Sequence, residues 1–257
     1  MEIFVVSLAA FVVAILTFFS GFGLGTILTP VFMIFFPTEL SIALTGLVHF
    51  SNNLFKLALV GKKADKEVLI RFGIPAVIAA LLGSWILLNI PNASPIFSYQ
   101  LYGKTYNIFP LKLLIACLLI LFASIDLIPY FSKLQFDKNK LPIGGFLSGF
   151  FGGLSGMQGA LRSAFLIKAG LSKEAFAGTT VVISSLVDIT RLSIYSTQIS
   201  VVGVTDNLPL ILCSIFSAII GAYIGNRLLK KVTLRFLQVV VAILLICISI
   251  GLGAGFI

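Results

Sequence analysis

The chain has 257 residues, of which 59% are hydrophobic and 11% charged, and its mean hydropathy is +1.13. Soluble domains run at about 45–50% apolar and about 25% charged, so the composition excludes a soluble globular protein and indicates an integral membrane protein. The net charge of +9 then reads as basic loops facing the cytoplasm, and no nucleic-acid partner is expected.

Eight apolar segments follow one another, at 3–36, 38–60, 69–90, 111–131, 142–170, 173–196, 207–229 and 234–256. A spanning helix needs about 20 such residues. The first twenty residues carry Glu2 as their only charge and no A-x-A site, so they read as part of the mature protein. The first segment is too long for one span and short for two. Its stretch "SGFGLGTILTP" (20–30) sets Gly21, Gly23 and Gly25 in the middle, with Pro30 close behind. Each glycine costs a helix about 1 kcal/mol relative to Ala, so the cluster predicts a break. The second segment ends in "HFSNNLFK" (49–56). It holds His49, the only histidine, with Asn52, Asn53 and Lys56. His49 is either a proton-coupling group or a helix-packing residue, and Lys56 is placed to snorkel to the cytoplasmic surface.

The connection 91–110 contains "SYQLYGKTYNIF" (98–109). Its alternation around Gly103 predicts a short hairpin or interfacial segment at the outer surface, with Tyr99, Tyr102 and Tyr106 at headgroup level. The Lys-rich stretch 132–141 reads as a cytoplasmic linker between a first transmembrane repeat, 1–131, and a second, 142–257. The fifth segment has glycines at 144, 145, 149, 152, 153, 156 and 159, which mark a break or a close backbone approach. Its stretch "SGMQGALRSAF" (155–165) adds Gln158 and Arg162. An intramembrane charge is a functional hypothesis by default. A structural ion pair between Arg162 and Asp188 is the alternative. In the sixth segment Asp188 and Arg191 lie three apart on one helix face, as a structural pair or as gating residues. Cys117, Cys213 and Cys247 sit in three different apolar segments and read as packing residues. The sequence has no metal-ligand cluster and no nucleophile–His–acid set, so no metal, no cofactor and no enzymatic activity are expected.

A shift of 135 places Ser20 on Ser155, Gly21 on Gly156, Glu39 on Glu174, Thr45 on Thr180 and Leu57 on Leu192. It also places Asn53 on Asp188 and Lys56 on Arg191. This is an internal repeat of four segments plus four. If all eight segments crossed the membrane, Lys and Arg would divide almost evenly between its two sides. If the first and fifth turn back at their glycines, thirteen fall on one side and only Lys104 and Lys112 on the other. Positive-inside bias favours the second arrangement. The fold expected is an all-α polytopic bundle of two inverted repeats, each three spanning helices plus one re-entrant hairpin. Both termini are then non-cytoplasmic. Exposed N–H groups at helix starts attract anions, and a guanidinium binds an oxyanion through two parallel hydrogen bonds. The expected substrate site is therefore Gly21, Gly23, Gly25, Thr26, Gly156, Gln158, Gly159 and Arg162. His49, Asn52, Asn53, Asp188 and Arg191 are the coupling or gating residues.

The stretch "SGFGLGTILTPVFMIFFP" and the later "GFFGGLSGMQGALRSAFLIKAGLSKEAFAGTT" resemble the two signature regions of the TauE/SafE family of bacterial sulfite exporters, and the resemblance covers essentially the whole chain. Gly21, Gly23, Gly25 and Pro30 match the family's first glycine-rich stretch. Gln158, Arg162 and Ser163 stand where typical members have small or apolar residues, and Phe165 stands where Pro is usual; these departures bear on the substrate. The resemblance implies a secondary transporter, an exporter of sulfite, organosulfonates or related organic acids, in the bacterial inner membrane. An anion channel is the alternative, and a membrane enzyme or assembly factor fits less well. Proton or sodium coupling and a homo-oligomer stay open.

Overall fold

The computed structural model describes residues 1–17, 23–90, 94–127, 136–197, 201–228 and 234–256. Gly21, Lys133, Lys230 and Lys231 lie outside the described residues. The protein is mostly helical. In chain order come α1 (Glu2–Thr17), α2 (Leu24–Met33), α3 (Thr38–Val60) and α4 (Lys66–Asn89). The two strands β1 (Phe97–Leu101) and β2 (Lys104–Ile108) are followed by α5 (Pro110–Leu127). The second half holds α6 (Leu141–Ser155), α7 (Gly159–Leu166), α8 (Lys173–Tyr195), α9 (Val201–Thr205), α10 (Leu208–Leu228) and α11 (Leu234–Gly253).

Local chemistry sets several helix boundaries. Asp65 caps α4 by accepting from the Val68 N–H at 2.9 Å, and its own N–H donates to Thr179 Oγ1 at 2.8 Å, which ties the start of α4 to α8. Ser172 caps α8, accepting from Ala175 N–H at 3.1 Å, with Glu174 in the first turn, where a negative charge is favoured. Within α4, Leu69–Gly73 winds as a π-helix. Pro75 has no N–H to give Arg71, and the wider turn accommodates that missing bond.

Both long glycine-bearing segments are divided. In the first, α2 begins after Gly23, whose φ is 118°. In the second, α6 ends at Gly156 in the left-handed region, φ 79°, a conformation that glycine adopts without a Cβ penalty. The upstream glycines of the second segment are not part of the break. Gly145, Gly149 and Gly153 recur every four residues along α6, and each lies against a backbone carbonyl of α4, those of Phe72, Ala76 and Ala80. From the other side Gly83 meets the Phe150 carbonyl. Helix association in a bilayer relies on close packing, which small residues permit by letting backbones approach, and here they bring α4 and α6 together as one pair. Gly221 lies in the same way against the Phe11 carbonyl, joining α10 to α1.

These two pairs flank a centre in which α3 crosses α8, with α10 beside α3, α4 beside α8, and α5 along α11. Two buried apolar clusters fill the interior. The larger is built on Val6, Leu28, Phe32, Leu44, Leu119 and Leu245, the smaller on Phe72, Leu141, Phe165 and Ile183. Large apolar side chains such as Ile78, Trp85, Phe216 and Ile250 are more than half exposed, as a lipid-facing surface requires. Three described helices are long and apolar enough to cross a membrane: Lys66–Asn89, Lys173–Tyr195 and Leu208–Gly225. Cys117, Cys213 and Cys247 lie on the exposed surface rather than packed inside. Apolar periodicity could not separate the two, because both faces of these helices are apolar.

The strands form an antiparallel hairpin that pairs Tyr99 with Tyr106. Its tip is Tyr102, with φ 49°, and Gly103, with φ 74°. Only Tyr102 stands free, at 97% exposure. Tyr99 and Tyr106 stack on each other at 5.5 Å and face the end of α11 instead. The Tyr99 hydroxyl donates to the Ala254 carbonyl at 2.7 Å, and Phe256 meets Tyr106 edge-on.

Gly149→Leu should disrupt the α4–α6 pair, because its side chain would have to displace the backbone of Ala76. Overpacking of this kind costs about 1–3 kcal/mol or more. Thermal unfolding in detergent should show the loss, while Phe146→Leu on the exposed side of the same helix should change little. Equal effects of the two substitutions would contradict the packing described.

Candidate functional site

Polar residues on α3 recur at helical spacing: Thr45, His49, Asn52, Asn53 and Lys56. Thr180, Ser184, Asp188 and Arg191 do the same on α8. Residues three and four apart share a helix face, and the two faces meet where α3 crosses α8. At the crossing Asp188 is fully buried. His49 Nδ1 lies 2.6 Å from its Oδ2, and the Asn53 amide donates to the same oxygen at 3.0 Å. Its Oδ1 accepts from Arg191 Nε at 3.0 Å and lies 2.9 Å from Arg191 Nη2. The carboxylate thus holds donors from both halves of the chain. Arg162 donates through Nη1 to Gln158 Oε1 at 3.0 Å, and the cation hydrogen-bonded to Asp188 three residues along its own helix is Arg191.

The two broken segments meet at this node. A Cβ placed on Gly25 would sit 3.1 Å from the Gly156 carbonyl and 3.6 Å from the His49 ring. A Cβ on Gly156 would sit 2.6 Å from Arg191 Nη1, so the guanidinium lies directly on the backbone of the break. Ser148 Oγ donates to the Gln158 carbonyl at 2.9 Å and steadies the turn between α6 and α7. The Tyr195 hydroxyl donates to the Gly153 carbonyl one turn earlier. Gly25, His49, Asn53, Gly156, Asp188 and Arg191 therefore form one cluster, with Gln158 and Arg162 following from the same break. Gly23 and Gly159 are buried beside their helix starts, and Thr26 is half-buried.

Charge is unevenly distributed. Among the described residues the buried charged side chains are Lys56, Arg162, Arg191 and Asp188, with exposures of 7%, 1%, 0% and 0%. Lys56 is enclosed rather than reaching the surface, and it feels the charge of Arg162. Several buried polar groups have no hydrogen-bond partner: Arg191 Nη1, Gln158 Nε2, the Asn52 amide, and the hydroxyls of Thr45, Ser163 and Thr180. Nearly all of these are donors. Buried donors without acceptors cost about 1–3 kcal/mol each, and a ligand rich in acceptor oxygens would satisfy them. Thr45, Ser163 and Thr180 are members of this set that the sequence did not assign to the site, although Thr45 and Thr180 coincide under the 135-residue shift.

The profile of the TauE/SafE sulfite exporter family matches residues 6–252, nearly the whole chain, and the protein belongs to that family. No curated protein matches it significantly. The family consists of transporters rather than enzymes, which makes this a membrane-embedded protein of transmembrane transport.

Arg191→Leu should lower stability by about 3–5 kcal/mol, since it strips a buried carboxylate of its cation. Adding Asp188→Asn should recover most of that loss. Thermal unfolding of the two variants reads both effects, and a double variant no more stable than Arg191→Leu alone would show that Asp188 does not depend on this cation.

Proposed function

From this membership we propose that the protein carries sulfite, organosulfonates or related small organic acids across the bacterial inner membrane by alternating access. The observation that carries the reading is the set of buried donors without hydrogen-bond partners among the described residues, beside the buried guanidinium groups of Arg162 and Arg191. Buried donors left without acceptors are costly, and an arriving oxyanion would supply the acceptors. The anionic head sits between the first turn of α2 and the start of α7, against Gly25, Gly156, Gln158 and Gly159, with Arg162 as its main counter-charge. Arg162 has Ile27 as its counterpart in the first half, so the site is asymmetric and suits a ligand with one charged head and a different far end.

The architecture proposed is two inverted repeats, each of three spans and one re-entrant hairpin. The packing supports it: exchanging the halves turns the α1–α10 pair into the α6–α4 pair and the α3–α10 contact into the α8–α4 contact. Asn53 and Asp188, which correspond in the repeat, bond each other, as residues on a two-fold axis do. The 16 residues of α1 and 15 of α6 rise about 24 and 22 Å at 1.5 Å per residue, short of a hydrocarbon core about 30 Å thick. Alternating access is then rocking of the α1–α10 and α4–α6 pairs about the fixed α3–α8 centre, as in other repeat transporters.

Arg162→Gln should remove most binding of sulfite or sulfoacetate while the protein still folds. Losing one partner of a desolvated charge pair costs about 2–5 kcal/mol, or roughly 30- to 5,000-fold in affinity. Arg162→Lys should keep part of the binding, because charge survives without the bidentate geometry. Equilibrium binding to purified protein measures this, and a folded Arg162→Gln variant with unchanged affinity would move the site elsewhere. The topology has its own test. Single cysteines at positions 64 and 232, on a background lacking the native three, should both label from the cytoplasm; labelling from opposite sides would refute the re-entrant arrangement.

A further inference from the structure

Hydroxyls inside apolar helices have a ready partner, the carbonyl four residues back. Thr17, Thr29, Ser185 and Ser214 all use it, at 2.7–2.9 Å. Thr45 and Thr180 do not. Both are buried, at 0% and 3% exposure, and neither hydroxyl has a hydrogen-bond partner among the described residues. The two occupy the same place in the two halves of the sequence, since the 135-residue shift sets one on the other.

Their faces and levels locate them. Thr45 lies one turn from His49 on one face of α3, and the His49 ring lies beside Gly25. Thr180 lies eleven residues from Arg191, close to three full turns, and so on the face of α8 from which Arg191 reaches Gly156. Each hydroxyl thus shares its helix face with a group at one of the breaks. The two helices run antiparallel: Gly46 lies against Leu192, Asn53 bonds Asp188, and Gly178 lies against the Val60 carbonyl. Thr45 precedes Asn53 by eight residues, and Thr180 precedes Asp188 by eight. At 1.5 Å per residue the hydroxyls stand about 12 Å to either side of that bond, too far apart for one small anion to touch both. Thr38, seven residues before Thr45 and nearly on the same face, is likewise buried without a partner, and it continues the line to the start of α3.

Building on the proposed transport reading, we infer that Thr45 and Thr180 are two stations for the anion, one on each side of the central site, where a hydroxyl donates to an oxyanion oxygen as the ligand enters or leaves. A neutral donor suits that task. It replaces part of the anion's hydration without adding a fixed charge, and flux requires sites favourable enough to enter and weak enough to leave. The guanidinium groups at the breaks hold the anion more tightly, through charge-assisted bonds.

The test is exchange of radiolabelled sulfite into proteoliposomes preloaded with unlabelled sulfite, beside equilibrium binding of sulfite to the purified full chain. Exchange does not require a gradient of a coupling ion. Thr45→Val and Thr180→Val should each slow exchange about tenfold or more, the worth of a hydrogen bond to a charged group, and change the equilibrium affinity by less than about twofold. Thr45→Ser and Thr180→Ser should restore exchange. Both valine variants should be at least as stable to heat as the wild type, because each removes an unpaired buried hydroxyl. Exchange at the wild-type rate in either valine variant overturns the inference alone. So does affinity lost in proportion to rate, which places the hydroxyl in the central site, and so does a marked loss of stability, which shows the hydroxyl bound within the protein. A wild type that exchanges no sulfite defeats the transport reading, and this inference falls with it.

Discussion

A carboxylate sealed from solvent organises the centre of this protein. Asp188 is held at once by His49 and Asn53 of α3 and by Arg191 of its own helix. An ionised group in a low-dielectric interior is tolerated only with paired charge and satisfied lone pairs. The crossing of α3 and α8 is therefore not an interchangeable apolar contact but a polar joint with one register. The two breaks are arranged around it: the start of α2 reaches it through Gly25, and the turn after α6 reaches it through Gly156, on which Arg191 lies.

Glycine serves two separate purposes here, and the distinction explains how a rigid frame surrounds an irregular centre. Along α6 the residues at 145, 149 and 153 thin the helix so that α4 can lie against it backbone to backbone. At 156 the same residue type takes a left-handed conformation that ends the helix. Non-helical backbone at membrane depth is tolerated only where protein or a water-filled cavity covers it. Here the cover is the other broken segment, with Arg191 laid across Gly156. The hairpin Phe97–Ile108 secures a distant part of the frame, fastening the end of α11 through Tyr99 and Tyr106.

Much of this was legible in the sequence where the signal was local. Apolar runs located the helices, glycine clusters located the two breaks, and the alternation around Gly103 located the hairpin. The three-residue spacing of Asp188 and Arg191 placed them within reach of each other. The rest depends on contacts between distant residues. His49 and Asp188 are 139 positions apart, and no spacing rule brings them together. The glycines of α6 read as one cluster, because composition does not tell a packing glycine from a helix-ending one. Lys56 was expected at the surface because it lies near a helix end; its burial follows from its face on α3 rather than its distance from the terminus.

The account rests on an oxyanion lying between the two breaks. The most direct measurement is an experimental structure of the protein with selenite, the heavier analogue of sulfite, located by the anomalous scattering of selenium. The account predicts one peak between Gly25 and Gly156, within hydrogen-bonding distance of Arg162 or Arg191. Selenium bound elsewhere, with that position unoccupied at saturating selenite, would contradict it.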